Sequence, residues 1–346
     1  MGCDHNMPSL TPYINLKIQR CVVDTNPRIK TPVSSNQNNK LNASTIYAAV
    51  YGHPIRHSAS PAMQNAGIAE LGLNWRYLAF DVLPEQLTEA LSGAKAMRYV
   101  GLNLTVPHKL LALDWVDIVD PAAKEWGAVN TIRFEGQSED GSWTPVGQAA
   151  DPTRFTNIRS VGFNTDADAI LRSIGEDLGL SLKGTTCILL GAGGAGRVAA
   201  LKLASAGVKK LHLINRTQSK SEAVASDIHG KFPEVETSLE YPKHGTPVDL
   251  MLNATSLGLK ADDPLPVNSD AIDLKNVSHA YDMIYQPAQT PFLKQAAHAG
   301  CRTANGLGML LYQGTAALEI WTGQTAPTST MQTALHEHVY EKLSKH

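Results

Sequence analysis

Polar side chains at the ends of β-like runs are the part of this sequence that could do chemistry. Lys109 ends the heptapeptide NLTVPHK, in which an apolar, β-branched run passes into a Pro-His-Lys step. Asp166 ends GFNTD, where an amide and a hydroxyl precede it. A lysine in such a place is either a solvated loop charge or a base at the mouth of a site, and the heptapeptide alone does not decide between them.

Further hydroxyls and amides occur at similar positions. HSASP places Ser58 and Ser60 before a predicted helix, where hydroxyls and free N–H groups suit a carboxylate. Taken alone, the motif is better explained by N-capping by Ser60 ahead of Pro61. Asn130 in AVNT and the Asn-Thr pair of GFNTD suit a polyol, but Asx-type turns explain each of them too. Gln313 falls on a predicted helix, where a solvent-facing glutamine would be unremarkable.

A glycine turn indicates a dinucleotide site. GAGGAG (191–196) directly follows the apolar strand CILL and opens the predicted helix RVAALKLASAG. Without side chains the backbone can approach a pyrophosphate, and the helix N-terminus supplies free N–H groups and a favourable dipole. A turn that only packs helix on sheet is the alternative interpretation.

The loop after the next strand predicts which cofactor is bound. NAD sites place Asp or Glu at the end of that strand, but KLHLIN leads into NRTQSK, with no carboxylate before Glu222. Arg216 is placed to cover a 2′-phosphate, and Lys220 could add charge, so the loop favours NADP. The alternative is that these side chains are only solvent-exposed loop cations, which is more plausible for Lys220 than for Arg216.

The elements that must position these residues alternate between strand and helix. Strand-like IYAAVYG, WRYLAFDV and YVGLNLTVP are separated by helical patterns, which predicts βαβ units and a parallel sheet, and a second such series begins at Thr185. The fold class is α/β, with two α/β lobes and a cleft between them: an N-terminal substrate-binding lobe and a Rossmann-type lobe. The predicted boundaries are a flexible leader at 1–45, a substrate-binding domain at 46–165 completed by C-terminal helices at 305–346, a Rossmann domain at 166–304, and a polar insert at 137–158 that forms a loop or extended hairpin.

Composition narrows the class of protein. The 346 residues carry a formal charge of -2, which gives no broad basic field for nucleic acid. The four cysteines lie far apart with no C-x-x-C pair, which favours reduced thiols in the cytoplasm over a disulfide framework or zinc site. Apolar runs fall short of the roughly 20 residues that span a bilayer. We therefore expect a cytoplasmic protein without a metal, nucleic-acid or membrane partner. A small-molecule partner and a monomer or homodimer are separate expectations that composition does not decide.

Taken together, the short motifs resemble one family. HSASP, NLTVPHK, GAVNT, GFNTD, GAGGAG, NATSLG and NGLGMLLYQG occur in the order and approximate spacing of the shikimate dehydrogenase family, from Ile46 to about Gly323. The resemblance implies reversible NADPH-dependent reduction of 3-dehydroshikimate to shikimate within aromatic amino-acid and chorismate biosynthesis.

The resemblance also assigns residues to roles. It implies a catalytic pair, Lys109 and Asp166. The substrate-binding residues are Ser58, Ser60, Thr105, Asn130, Tyr285 and Gln313. The cofactor-binding residues are Gly191, Ala192, Gly193, Gly194, Ala195, Asn215, Arg216, Thr217, Lys220, Thr255, Gly306 and Met309. Hydride arriving at a carbonyl carbon leaves charge on oxygen, and Lys109 could supply both a cation and a proton there.

Some positions depart from the family pattern and keep alternatives open. Gln64 replaces a common histidine, Ala167 to Ala169 lack a common glycine, and Lys220 stands where a second arginine often occurs. A quinate/shikimate dehydrogenase that uses NAD differs by one substrate hydroxyl and by the loop around Arg216, whose arginine argues against it. A non-catalytic regulator that binds a pathway metabolite would be favoured by loss of Lys109 or Asp166, and both are present.

Overall fold

The described part of the chain forms two β-sheets flanked by helices. The computed structural model describes residues 41–260 and 262–341. Residues 1–40 of the predicted leader and residues 342–346 of the predicted C-terminal helices therefore lie outside the described residues. Residues 41–45 form a turn in which Thr45 Oγ1 donates to Asn74 Oδ1 at 3.1 Å. In the described ranges, no helix has the length and apolar character needed to cross a membrane.

The first sheet is built from seven strands. They are β1 (Ile46–Gly52), β2 (Trp75–Asp81), β3 (Gly101–Leu104), β4 (Ile118–Val119), β5 (Thr131–Gln137), β6 (Trp143–Pro145) and β7 (Asn157–Phe163). Their order is β2-β1-β3-β5-β7-β4, with β6 added to β5. The expected parallel sheet is wrong in one respect, since β5 runs antiparallel to β3 and to β7. For β7 the reason is the insert, since an extended hairpin returns the chain directly beside β5 and so requires antiparallel pairing.

Helices of this half begin close to the strands that precede them. They are α1 (Ser60–Glu70), α2 (Leu87–Ala96), α3 (His108–Leu111) and α4 (Pro121–Trp126). Ala59 already has helical angles (φ -85°, ψ -8°) and takes the N-cap position of α1. The prediction that Ser60 is the N-cap is therefore wrong by one residue, and the Ser60 hydroxyl makes no capping hydrogen bond to α1.

The second sheet has six parallel strands. They are β8 (Thr186–Leu190), β9 (Lys210–Ile214), β10 (Glu236–Ser238), β11 (Val248–Asn253), β12 (Val277–Asp282) and β13 (Arg302–Asn305). The order β10-β9-β8-β11-β12-β13 is the 3-2-1-4-5-6 order of dinucleotide-binding sheets. In such sheets ligands bind beyond the carboxyl ends of the strands where the order reverses, which here lies beside β8, directly before the glycine turn.

The remaining helices cover this sheet and return to the first. They are α5 (Asp166–Leu178), α6 (Gly194–Ser205), α7 (Gln218–Lys231), α8 (Pro291–His298), α9 (Leu307–Thr322), α10 (Thr328–His336) and a terminal π-helical turn (Glu337–Glu341). Leu318 and Trp321 of α9 and Met331 of α10 are buried in the same apolar core as β1 and β3. Gln64 of α1 contributes to this packing, because its Nε2 donates to the Gly314 carbonyl of α9 at 2.8 Å.

Candidate active site

Lys109 and Asp166 meet at the ends of two strands of the first sheet. Lys109 is the second residue of α3, which follows β3, and Asp166 is the first residue of α5, which follows β7. Lys109 Nζ donates to Asp166 Oδ2 at 2.6 Å. The side chains are 30% and 17% exposed, so each is partly packed and still reaches solvent. The amine and the carboxylate thus form a charge-assisted pair that a substrate could reach.

This pair lines a cavity to which both sheets contribute. The cavity has a volume of about 280 Å³, which is enough for a small polyol acid. Its predicted residues include Ser58, Ser60, Thr105, Lys109, Asp166, Ala195, Tyr285, Gly306, Met309 and Gln313. The structure therefore brings the predicted catalytic residues, most predicted substrate-binding residues and part of the predicted cofactor set to one cleft.

The paired serines lie at the start of α1. The main-chain N–H of Ser60 donates to Ser58 Oγ at 3.3 Å, and both residues line the cleft. Both residues lie at the N-terminus of α1, where the helix dipole would stabilise a carboxylate.

Asn130 lies apart from the other predicted substrate ligands. It is buried, outside the lining of the cleft, and its Nδ2 donates to Thr165 Oγ1 at 2.9 Å. Its Oδ1 accepts from the Thr165 main-chain N–H at 2.7 Å. Asn130 thereby holds the residue that precedes Asp166, and its contact with a substrate hydroxyl stays a prediction.

Asn103 is a cleft residue that the sequence reasoning missed. It lines the cavity from β3 and is nearly buried. Side chains alternate along a strand, so Asn103 and Thr105 fall on the same side of NLTVPHK. That two-residue spacing was the signal available in the sequence.

Tyr285 and Gln313 close the cleft from the other side. Burial raises the pKa of the Tyr285 phenol, with Tyr340 adding to the effect, so Tyr285 is a neutral hydrogen-bonding group. Gln313 Nε2 donates to the Leu310 carbonyl at 2.9 Å within α9. One N–H and the carbonyl of the Gln313 amide remain for a ligand.

The glycine turn leaves space for a cofactor in front of α6. Gly191 has φ of 103°, a conformation that L side chains rarely adopt, and a Cβ there would lie 2.9 Å from Thr255 Cγ2. A Cβ on Gly193 or Gly194 would meet nothing within 4 Å. Open space before a helix N-terminus with free N–H groups fits a pyrophosphate.

The loop after β9 lies beside this turn. Asn215 Oδ1 accepts from the Ala192 main-chain N–H at 3.1 Å, and Asn215 Nδ2 donates to the Thr217 carbonyl at 2.8 Å. Thr217 is the N-cap residue of α7, and Arg216 and Lys220 are exposed. Asn215 therefore joins the two loops, and two cations flank the helix start where a ribose phosphate would bind.

Thr255 follows β11, the neighbour of β8, and Gly306 and Met309 follow the edge strand β13. Thr255 Oγ1 donates to Asn253 Oδ1 at 2.7 Å, which fixes the loop after β11 against the glycine turn. Gly306 and Met309, at the start of α9, line the same cavity as Lys109. These residues place the cofactor-facing edge of the second sheet next to the proposed reacting groups.

Comparison with known proteins identifies the family. Three family models match the chain: shikimate dehydrogenase substrate binding domain at residues 50–132, shikimate / quinate 5-dehydrogenase at 173–260 and shikimate 5'-dehydrogenase C-terminal domain at 306–336. The shikimate dehydrogenase (NADP(+)) of Methanopyrus kandleri is 37% identical over 307 residues, covering 86% of this chain and 98% of that protein. The chain belongs to the shikimate dehydrogenase family.

Two further members of the shikimate dehydrogenase family agree with this assignment. The shikimate dehydrogenase (NADP(+)) of Moorella thermoacetica is 39% identical over 306 residues, 86% of this chain and 95% of its own. The crystal structure of shikimate 5-dehydrogenase from Thermus thermophilus in complex with NADP(H) and shikimate has a TM-score of 0.67 at 34% identity, covering 84% of this chain and 99% of that chain. The α/β fold with two lobes, predicted from the sequence, is confirmed.

The shikimate dehydrogenase models leave residues 133–172 of this chain unmatched. That stretch contains both the hairpin insert and Asp166. The interpretation of Asp166 therefore depends on its 2.6 Å contact with Lys109 and its place in the cleft.

Proposed function

We propose that the protein catalyses the reversible NADPH-dependent reduction of 3-dehydroshikimate to shikimate, a step of chorismate and aromatic amino-acid biosynthesis. The observation that carries this proposal is the pairing of Lys109 with Asp166 in a cleft that also holds Ser58, Ser60 and the cofactor-facing residue Met309. Related proteins named shikimate dehydrogenase (NADP(+)) span nearly the whole globular chain, which supports the same activity.

Residues of the second sheet fit NADP. The glycine turn would hold the pyrophosphate through main-chain N–H groups, and Arg216 would pair with the 2′-phosphate, with Lys220 adding charge. Asn215 keeps this loop in place, since its Oδ1 accepts from the Ala192 main-chain N–H of the glycine turn and its Nδ2 donates to the Thr217 carbonyl. When bound, the nicotinamide supplies or accepts the hydride.

Residues of the first sheet bind and orient the substrate. Ser58 and Ser60 bind its carboxylate at the α1 N-terminus, Thr105 and Gln313 contact its ring hydroxyls, and Tyr285 is a further substrate-binding residue. Asn130 supports this set through Thr165, and a direct contact with a substrate hydroxyl is part of the proposal.

Lys109 carries the proton. During reduction its ammonium group donates a proton to the carbonyl oxygen as negative charge develops there, and during oxidation its amine takes that proton back. Asp166 accepts from Lys109 Nζ and holds the amine in place, and it can also accept from a substrate hydroxyl. Lys109 and Asp166 thus act as one unit in the transition state.

The decisive experiment measures initial rates with shikimate and quinate, each with NADP and with NAD. We expect shikimate with NADP to give the highest kcat/KM. Quinate is included because one matching family model covers shikimate / quinate 5-dehydrogenases. Absence of NADPH formation from shikimate by the folded protein would refute the proposed activity, and a higher kcat/KM with quinate and NAD would favour the alternative dehydrogenase.

The domain boundaries and the cellular location belong to the same proposal. We place the substrate-binding lobe at 46–165 with 305–346 and the NADP-binding lobe at 166–304, because α9 and α10 share the core of the first sheet. Cys187 and Cys301 are buried free thiols, as expected for an enzyme of the reducing cytoplasm. A monomer or homodimer is expected.

A further inference from the structure

Tyr77 lies beneath the floor of the cleft with its phenol at one end of a run of buried hydrogen bonds. It is a residue of β2 that is 1% exposed, and its OH donates to Asn103 Oδ1 at 2.7 Å. Burial raises the pKa of Tyr77 well above its usual 10.0, although a hydrogen bond with Ser60 lowers it somewhat. The phenol therefore keeps its proton and stays a donor to one defined oxygen.

The amide of Asn103 is fixed from its other side as well. Its Nδ2 donates to Thr131 Oγ1 at 3.0 Å and to the Asn130 carbonyl at 3.4 Å. Turning the amide over would set Oδ1 against the Asn130 carbonyl oxygen, which places an acceptor against an acceptor. Tyr77 and Thr131 therefore define one orientation of Asn103. A carbonyl oxygen has two lone pairs, and the contact with Tyr77 uses one of them.

Tyr77 is itself held at its main chain and its ring. Its N–H donates to Asn65 Oδ1 at 2.9 Å, and its carbonyl accepts from Asn65 Nδ2 at 2.8 Å. Its ring lies beside the Trp321 ring, with centroids 6.1 Å apart. Asn65 belongs to α1, the helix that begins at Ser60. The same helix therefore holds the main chain of Tyr77 and carries Ser60, a proposed ligand of the substrate carboxylate.

We propose that Tyr77 is a positioning residue for the substrate: it holds the Asn103 amide so that Oδ1 accepts from a hydroxyl of the substrate ring. The inference rests on the proposed function, because a polyol in the cleft supplies that hydroxyl. Tyr77 itself contacts Asn103 and α1 rather than the reacting atoms, so its effect belongs to substrate binding and not to proton transfer.

Tyr77→Phe tests this proposal, since it removes the donor and keeps the ring. We expect the KM for shikimate at saturating NADP to rise about tenfold, the effect of one buried hydrogen bond. The KM for NADP and kcat should change by less than about twofold, because uniform substrate binding is what is lost. Tyr77→Phe also removes the contact with Ser60, so an Asn103→Ala background separates the two routes. If Tyr77 acts through Asn103, Tyr77→Phe raises the KM for shikimate no further in that background.

Tyr281→Phe is the matched control. Tyr281 of β12 is equally buried and its OH lies 2.8 Å from Ser173 Oγ, so its loss also removes a buried tyrosine hydrogen bond. It should lower the melting temperature and leave the KM for shikimate unchanged. If Tyr77→Phe does not fold, Asn103→Ala carries the same expected rise in the KM for shikimate, because it removes the amide through which Tyr77 acts.

The outcomes separate this inference from the proposed function. A parent enzyme that turns over shikimate, with a folded Tyr77→Phe variant whose KM for shikimate stays within about twofold of the parent value, overturns the positioning role alone. The same holds if Tyr77→Phe raises that KM equally with and without Asn103. A parent enzyme inactive with shikimate overturns the proposed function, and the positioning role with it.

Discussion

Lys109 Nζ donates to Asp166 Oδ2, although the two residues lie 57 positions apart in the chain. A second lysine–aspartate pair, Lys95 Nζ to Asp117 Oδ2 at 2.8 Å, has a similar length and similar lysine exposure, but it lies outside the cleft lining. Geometry of the ion pair alone therefore does not mark a reacting group. What distinguishes Lys109 is its place beside the serines of α1 and the start of α9.

Replacing Lys109 should mainly reduce turnover. If Lys109 moves a proton and stabilises charge in the transition state, Lys109→Ala should lower kcat by about 10²–10⁴-fold, with a smaller change in the KM for shikimate. Asp166→Asn should also lower kcat strongly. The double variant should lose less than the product of the two single losses, because the two residues act as a unit. Steady-state kinetics with shikimate and NADP measure all three.

Lys95→Ala is the matched control for this prediction. It removes an amine of the same type from an exposed ion pair, where changes are nearly neutral. Its kcat should equal that of the parent. A folded Lys109→Ala variant that keeps more than about half of the parent kcat would make Lys109 a loop charge like Lys95.

Replacing Ser58 and Ser60 together should weaken substrate binding. Each hydroxyl that donates to a carboxylate contributes about 1.5–3 kcal/mol, so the Ser58→Ala/Ser60→Ala variant should raise the KM for shikimate by at least tenfold. Ser92→Ala is the control, since Ser92 Oγ donates to the Thr88 carbonyl on the exposed face of α2. A shikimate KM equal to that of the parent in the folded double variant would show that these serines do not hold the carboxylate.

Arg216 should decide the choice between NADP and NAD. The parent enzyme is expected to use NADP at least tenfold more efficiently than NAD, because Arg216 can pair with the 2′-phosphate. Arg216→Ala should raise the KM for NADP and change that for NAD little. Arg154→Ala removes another exposed arginine, one paired with Asp151 in the hairpin insert, and should leave both constants unchanged. Equal efficiency of the parent with both cofactors would contradict the assignment of Arg216.

The parts of the fold that could be predicted are those that local patterns determine. Strand periodicity and the glycine turn located β1, β2, β8 and the start of α6, since side-chain alternation and glycine geometry act over a few residues. The direction of β5 could not be predicted in this way. It depends on which strand the hairpin insert brings beside it, and that is a tertiary choice.

The candidate site likewise contains residues that local motifs predicted and residues that they did not. Motifs singled out Lys109 and Asp166, which lie together in the cleft, and their catalytic role stays a prediction. Asn103 was missed because an amide on a buried strand resembles any satisfied core residue. Asn130 is the asparagine of the AVNT motif, yet its side-chain amide makes hydrogen bonds with Thr165. Whether a polar group faces a ligand or a neighbour depends on packing around it, which sequence spacing does not report.

His108 should make the stability of the fold sensitive to acid. Its side chain is fully buried, Nε2 lies 2.8 Å from the Val82 carbonyl, and Nδ1 has no hydrogen-bond partner among the described residues. Burial is the main cause that lowers the pKa of His108 from 6.5, the hydrogen bond to Val82 opposes it, and neighbouring His53 lowers it further. The folded protein therefore holds His108 neutral, with Nε2 as the donor.

Stability is consequently lost as the pH falls. Below about 6.5 the unfolded chain binds a proton at this residue while the folded chain does not, so the free energy of unfolding decreases from that pH down to the lower pKa of the folded state. His108→Gln keeps an N–H donor for Val82 and cannot titrate. Its free energy of unfolding, measured by urea denaturation at several values between about pH 7.5 and 5, should fall less steeply than that of the parent. His212, whose pKa is also lowered mainly by burial, should behave alike in His212→Gln. Parallel pH dependence in the parent and His108→Gln would show that His108 does not contribute to the acid sensitivity.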